Sequence, residues 1–249
     1  MWPVDAESLV AVQEELAAAR PELWSPGTGP LSVGGCWVCF PRGLTGRGDA
    51  GDPAWAAAVV MRDRRVVGQH VVTGVTGAPY TPGLLALRMG PLMEQAVRGL
   101  AARPDVLLVD ASSRDHPRGA GLALHLGAVL DLPTVGVTHR PLLAEGEWPE
   151  DRRGATSPVM ARDTVVGCWM RTGPGVRPLV VHPGWAVDLA TAVEVVAGTT
   201  GQRRTPEPLR RARYLARRAR NAADGRVRTD RSTDAIRHTT SGVGGRTDT

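Results

Sequence analysis

Lysine is missing: all 30 cationic side chains of this 249-residue chain are arginine. With Gly, Ala and Val abundant, the pattern reads as genome composition rather than as the signature of one site. Cysteine is scarce; three cannot pair fully, which excludes a disulfide framework, and a chain of this length needs none. No apolar run reaches the roughly 18 to 20 residues of a membrane-crossing helix, which excludes an integral membrane protein of the helical kind. The opening MWPVDAESLVAVQEELAAAR is acidic and amphipathic, unlike a secretory signal. These exclusions leave an expected cytoplasmic, monomeric protein with no membrane partner. The length suits one α/β domain of about 200 to 220 residues and a tail.

What is present is alternation. Residues 5–20 read as a helix with Leu9, Val12, Leu16 and Ala19 on one face. Strand-like runs follow at 31–40, 55–63 and 65–75, then the turn-rich GAPYTPG (77–83) and a helix at about 84–102. PDVLLVDAS (104–112) is continuously apolar, as a strand buried on both faces is. A helix (119–131), a strand (133–140), strands at 164–171 and 177–182, and a helix at 188–198 capped by Asp188 complete the series. A basic helix begins near Pro206. From about 222 the chain is almost without apolar residues and is expected to be disordered, so the domain spans 1–221 and the tail 222–249. Strands first, then helices and strands in turn, predict an α/β mixed sheet flanked by helices on both faces.

Two cysteines stand as C-x-x-C in GGCWVCF (34–40). In a strand, residues three apart point to opposite faces, so Cys36 and Cys39 cannot chelate one metal or bridge locally. A redox pair belongs at a helix N-terminus, which this stretch is not. They read as small buried hydrophobes. Arg203, Arg204, Arg210, Arg211, Arg213, Arg217, Arg218 and Arg220 crowd one stretch. Such a patch favours phosphate backbones, although a solvated helix face gives the same pattern.

The segments PYTPG, VLLVDASSRDHPRGAGLALHLGAVLDLPTVGV, GCWMRTGPGVRPLVVHPGW and TPEPLR resemble, in order and spacing, the endonuclease V family. The resemblance covers about residues 5 to 220 and implies a ribonuclease H-like fold. It also implies Mg²⁺-dependent cleavage of nucleic acid one nucleotide beyond a deaminated base, chiefly hypoxanthine. By this likeness the catalytic positions are Asp110, His116 and His139, and the metal position is Asp110. The substrate contacts are Tyr80, the base-extruding wedge, with Pro82, Gly83, Leu85 and Gly121. His125 matches a histidine often found in the family, though packing explains it as well.

Several positions depart from the family pattern. Its G-x-D-x-x-F reads Gly35-Cys36-Trp37-Val38-Cys39-Phe40, so Trp37 replaces a metal-binding aspartate. F-R-E reads Leu87-Arg88-Met89, a lysine becomes His139, and P-G-H reads Pro183-Gly184-Trp185. The D-G-x-G turn reads Asp110-Ala111-Ser112-Ser113, where the serine at 113 is expected to be strained if the turn needs positive φ. Trp37, Met89 and Trp185 are expected to gather around Asp110. One carboxylate holds Mg²⁺ weakly, and Asp49 and Asp52 in a Gly-rich loop are poor substitutes. Three functions therefore stand open. The chain is a nucleic-acid-binding member without the nuclease, an active enzyme with rearranged ligands, or an interaction protein with no nucleic acid.

Overall fold

The computed structural model describes residues 2–44 and 47–240, with side chains to residue 225. Its elements follow in the order α1 (Ala6–Ala18), β1 (Ser32–Cys39), β2 (Pro53–Arg62), β3 (Arg65–Val75), α2 (Leu85–Arg98), β4 (Val106–Val109), α3 (Leu122–Leu130), β5 (Thr134–Thr138), β6 (Thr156–Ala161), β7 (Thr164–Met170), β8 (Leu179–Pro183), α4 (Leu189–Thr199) and α5 (Glu207–Thr240). The strands form one mixed sheet in the order β3-β2-β1-β4-β5-β8-β7-β6. Strands β1, β4 and β5 run parallel, and every other pairing is antiparallel. This is the expected ribonuclease H-like sheet.

Layering follows from which strands bury both faces. All four residues of β4 are buried. Leu107 and Val109 pack with α2 and α3 on one face, while Val106 and Leu108 pack with α4 and the start of α5 on the other. Helix α1 rests on α2 and α3. The cysteines divide as alternation requires: Cys36 joins the α2–α3 cluster, and Cys39 joins Trp55, Ala57 and Ala216 beneath α5. All three cysteines are free and buried.

Strand β6 has no counterpart in the sequence reading. It carries Pro158, which cannot donate to a ladder, and it is tolerated because β6 is the sheet's edge. Helix α5 runs through residue 222 to Thr240, where the sequence reading places a structureless tail. The rest of that tail, 241–249, lies outside the described residues. Among the described residues no helix is long and apolar enough to cross a membrane.

The approach of α5 to the sheet is set at β1. A Cβ on Gly35 would meet the Pro208 carbonyl oxygen at 2.6 Å and the Leu209 nitrogen at 2.7 Å. Further along, α5 lays Ala212 against Val59 and Met61, and Ala216 against Ala57. Gly35→Ala is therefore expected to cost about 1–3 kcal/mol, because α5 must lift off β1 to admit the methyl group. Gly198→Ala, in α4 with nothing within 4 Å of the new Cβ, should instead gain about 0.4–1 kcal/mol. Urea denaturation of the two variants checks the contrast; equal effects would show that backbone approach at β1 is not the constraint.

Candidate functional site

The C-terminal ends of β4 and β5 open onto a cleft of about 480 Å³, whose lining includes Tyr80, Pro82, Gly83, Leu85, Asp110, Ala111, Ser112, His116, Thr138 and Leu142. Asp110 is the first residue after β4. The turn behind it caps α3: Ser112 O accepts from Ala123 N at 3.1 Å and Ser113 O from Gly121 N at 2.7 Å. Gly121 stands behind the cleft wall, where a Cβ would meet Ser112 O at 2.5 Å. Its glycine thus serves the turn rather than a direct contact. Ser113 is not in the left-handed region, so the expected strain is absent. Its Oγ instead donates to Pro183 O at 2.6 Å, tying the turn to β8.

The Tyr80 loop is held from beneath by Arg88, a buried side chain on α2. Its guanidinium donates to Ala78 O (2.9 Å), Asp49 O (2.8 Å) and Asp52 Oδ2 (2.9 Å) and lies 4.8 Å from the Phe40 ring centre. Tyr80 N donates to Gly48 O at 3.1 Å. With its backbone fixed, the Tyr80 ring remains 41% exposed at the cleft edge, so it is presented rather than packed away. Gly83 closes the loop at φ +77°, a conformation that favours glycine.

One carbonyl joins the two sides of the cleft. Gly83 O accepts from Gln13 Nε2 (3.1 Å), Arg118 Nη2 (2.8 Å) and the His116 ring (3.1 Å). Arg118 N–H donates to His116 Nδ1 at 3.3 Å, which places the proton of the neutral ring on Nε2, facing Gly83 O. Burial, and then the charge of Arg118, bring the imidazole down to about 4, so it is neutral at physiological pH. Asp115, fully buried, accepts from the backbone N–H groups of Leu142, Leu143 and Ala144 at 2.5, 2.8 and 2.9 Å. It fixes the opposite wall. Gln13, Asp115 and Arg118 were not singled out as site residues in the sequence; the one available signal is that Gln13 sits four residues after Leu9, on the buried stripe of α1.

The centre around Asp110 is less polar than the cleft. Cys36 pairs with Val109, so Trp37 and Asp110 stand side by side on the α5 face. The Arg213 guanidinium lies over Trp37, 5.1 Å from the ring centre. Burial raises the Asp110 carboxyl to about 7, with Arg213 pulling the other way. Among the described residues Asp110 makes no side-chain hydrogen bond or ion pair. Met89 packs with Cys36, Val109 and Ala111 in the α2–α3 core. His139 is exposed and outside the cleft lining; burial and then Arg204 and Arg213 lower its imidazole.

Trp185 is not at this centre. Strand β8 runs antiparallel to β5, with Val135 opposite Pro183, which carries the following turn to the far end of β5. There Trp185 N donates to Thr134 Oγ1 at 2.8 Å and its Cβ lies against Gly127. Asp110 is level with Val137, about 10 Å along the sheet from Thr134 at 3.3 Å per residue. The buried imidazole on β8 nearest the cleft is His182, whose Nε2 meets Thr138 Oγ1 at 2.9 Å.

Mg²⁺ does not fit the residues present. The ion asks for anionic oxygens in octahedral array, and Asp110 is beside an indole, a thioether-bearing core and a guanidinium. Asp52 is consumed by Arg88. Among the described residues no group of three His, Cys, Asp or Glu is arranged to hold a metal.

The Endonuclease V family model matches residues 33–214. Endonuclease V of Methanopyrus kandleri is 42% identical over 180 residues, 72% of this chain and 78% of that protein. That of Streptomyces coelicolor is 38% identical over 227 residues, 89% and 94% of the two chains. The crystal structure of Endonuclease V from Streptomyces avermitilis has a TM-score of 0.79 at 37% identity, covering 90% of this chain and 96% of that one.

The raised Asp110 carboxyl has a stability consequence. Between its ordinary value of 3.8 and about 7, the folded chain keeps a proton that the unfolded chain has lost. This contribution is present below 3.8 and falls away as pH rises through about 7. Asp110→Asn should therefore stabilise the protein at pH 8 by on the order of 1–2 kcal/mol, less than the full shift implies because the carboxyl reaches solvent at the cleft. The gain should vanish near pH 4. Thermal melts of both proteins across this range check it, and a pH-independent difference would contradict the buried-carboxyl description.

Proposed function

This chain belongs to the endonuclease V family, and we propose that within it the protein binds deaminated-base nucleic acid at the Tyr80 cleft without Mg²⁺-dependent strand cleavage. The observation that carries this reading is the contrast within one site. The cleft has kept an exposed, rigidly based aromatic, a left-handed glycine and a neutral histidine locked to it. The adjoining centre has Trp37 on the face of Asp110 with Arg213 over the indole, and Met89 in the core on the other face; by the family resemblance both stand where carboxylates would.

Each retained part has a binding task. An aromatic between two prolines stacks on a base at little entropic cost, and stacking contributes about 1–3 kcal/mol per base. The Gly83 carbonyl is pinned by three donors and cannot drift. Ala111 and Ser112 line a wall on which a flipped base can rest. Nothing in this account routes a proton or an electron pair through a metal. Burial raises the Asp110 carboxyl to about 7, so near neutrality a fraction of it carries a proton that it can donate.

The test is a labelled single strand carrying one inosine, titrated with protein in EDTA and again in Mg²⁺. Binding is expected in both, with no cleavage in either, and Tyr80→Ala should weaken it by about 1–3 kcal/mol. Trp37→Asp with Met89→Glu should introduce measurable Mg²⁺ binding by calorimetry. Robust Mg²⁺-dependent cutting by the unaltered protein, lost in Asp110→Ala, would overturn the reading in favour of an active nuclease.

A further inference from the structure

We propose that Arg213 is the resident cation of the Asp110 centre, and that with Arg42, Arg217 and Arg220 it forms a ridge that takes nucleic-acid phosphates without a divalent metal. The identity of the ligand rests on the binding function proposed above; the ridge rests on geometry.

Arg213, Arg217 and Arg220 fall at i, i+4 and i+7 along α5, one stripe of the helix. The stripe starts at the centre, where Arg213 covers Trp37 next to Asp110. It ends past β1, where Arg220 donates to Phe40 O at 3.3 Å and Arg42 to Asn221 Oδ1 at 3.0 Å. Because Gly35 seats α5 against β1, the stripe cannot swing away from the sheet's open end.

Arg42, Arg213, Arg217 and Arg220 differ from Arg210 and Arg211 in one respect. Arg210 and Arg211 share the Glu207 carboxylate, at 2.8 and 2.7 Å, which holds both side chains and offsets one of their two charges. Among the described residues none of Arg42, Arg213, Arg217 or Arg220 forms an ion pair. The buried Nε of Arg213 and of Arg220 has no hydrogen-bond partner. Arg217 feels its neighbours: burial first, then the charges of Arg213 and Arg220, with Arg42 adding to them, lower its pKa. Among the described residues the acids near this group are Asp110, which Arg213 acts on, and Asp224, which acts on Cys39. Clustered like charges with unused donors cost the free protein electrostatic energy, which a polyanion offsets.

A divalent cation and a guanidinium would compete for the same place beside Asp110. The chain carries its positive charge covalently. It cannot be removed by chelation, and its five N–H donors suit phosphate oxygens. Of the arginines crowded in this stretch of sequence, Arg210 is drawn to Glu207, and Arg42, from outside it, joins the ridge.

The test measures binding of a plain oligothymidine and of an inosine-containing strand, both in EDTA, as a function of salt. For single strands each phosphate-bound cation contributes about −0.7 to the slope of log affinity against log salt. Arg213→Gln should flatten the slope by about that amount for both strands and weaken binding roughly tenfold. Arg213→Lys, which keeps the charge, should restore the slope and separate charge from packing on Trp37. Arg210→Gln should leave the slope unchanged. Retention of both strands without preference for inosine would support the ridge while contradicting the base-binding reading. An unchanged slope in Arg213→Gln, dependence of binding on Mg²⁺, or no retention of either strand at low salt would overturn the ridge.

Discussion

The contact on which the rest depends is the seating of α5 on β1. Gly35 offers no side chain where the Pro208–Leu209 backbone arrives. Around it the contact is lined with small residues: Ala57 on β2 and Ala212 and Ala216 on α5, all fully buried. Small residues permit a close helix–sheet approach, and close packing makes the position of α5 specific. Everything charged on that helix is then placed by the register of the small ones. Arg213 falls one residue after Ala212, and so it falls over Trp37. An aromatic where a carboxylate would stand, and a guanidinium above it, are one coupled arrangement: the cation–π contact contributes about 0.5–2 kcal/mol and gives both side chains a partner.

The cleft depends on a second kind of constraint, buried charge satisfied by backbone. Arg88 gathers the carbonyls of Ala78 and Asp49, Arg118 spans Gln13 and Gly83, and Asp115 collects three consecutive amides of the 142–144 wall. Each such group is costly to bury alone and rigid once satisfied. Their joint effect is to preorganise loops that carry little apolar anchoring of their own. Binding to a preorganised surface loses less conformational entropy, which suits the base-binding role proposed for the cleft.

Much of this was legible in the sequence, for identifiable reasons. The apolar run VLLV could only be a doubly buried strand, and two-residue alternation assigned Cys36 and Cys39 to opposite faces, where they lie. Linear motifs placed Tyr80, Gly83, Leu85, Asp110 and His116 in one cleft. Three things were not legible. Strand β6 was hidden by Pro158, because edge pairing is a tertiary fact. Trp185 was misplaced because motif order does not tell which end of the sheet an antiparallel strand delivers its turn to. The pairing of Arg210 with Glu207, against the freedom of Arg213, depends on which helix face meets the sheet. A count of arginines cannot supply that.

The chain keeps the architecture of its family, and in the reading proposed for its centre a fixed side chain stands in place of an exchangeable ion. Anomalous diffraction from crystals grown in Mn²⁺ measures this most directly, since Mn²⁺ occupies Mg²⁺-type oxygen sites and scatters strongly. The account predicts an ordered Arg213 over Trp37 and no anomalous peak beside Asp110. A peak within bonding distance of the Asp110 carboxylate, with Arg213 displaced, would contradict it.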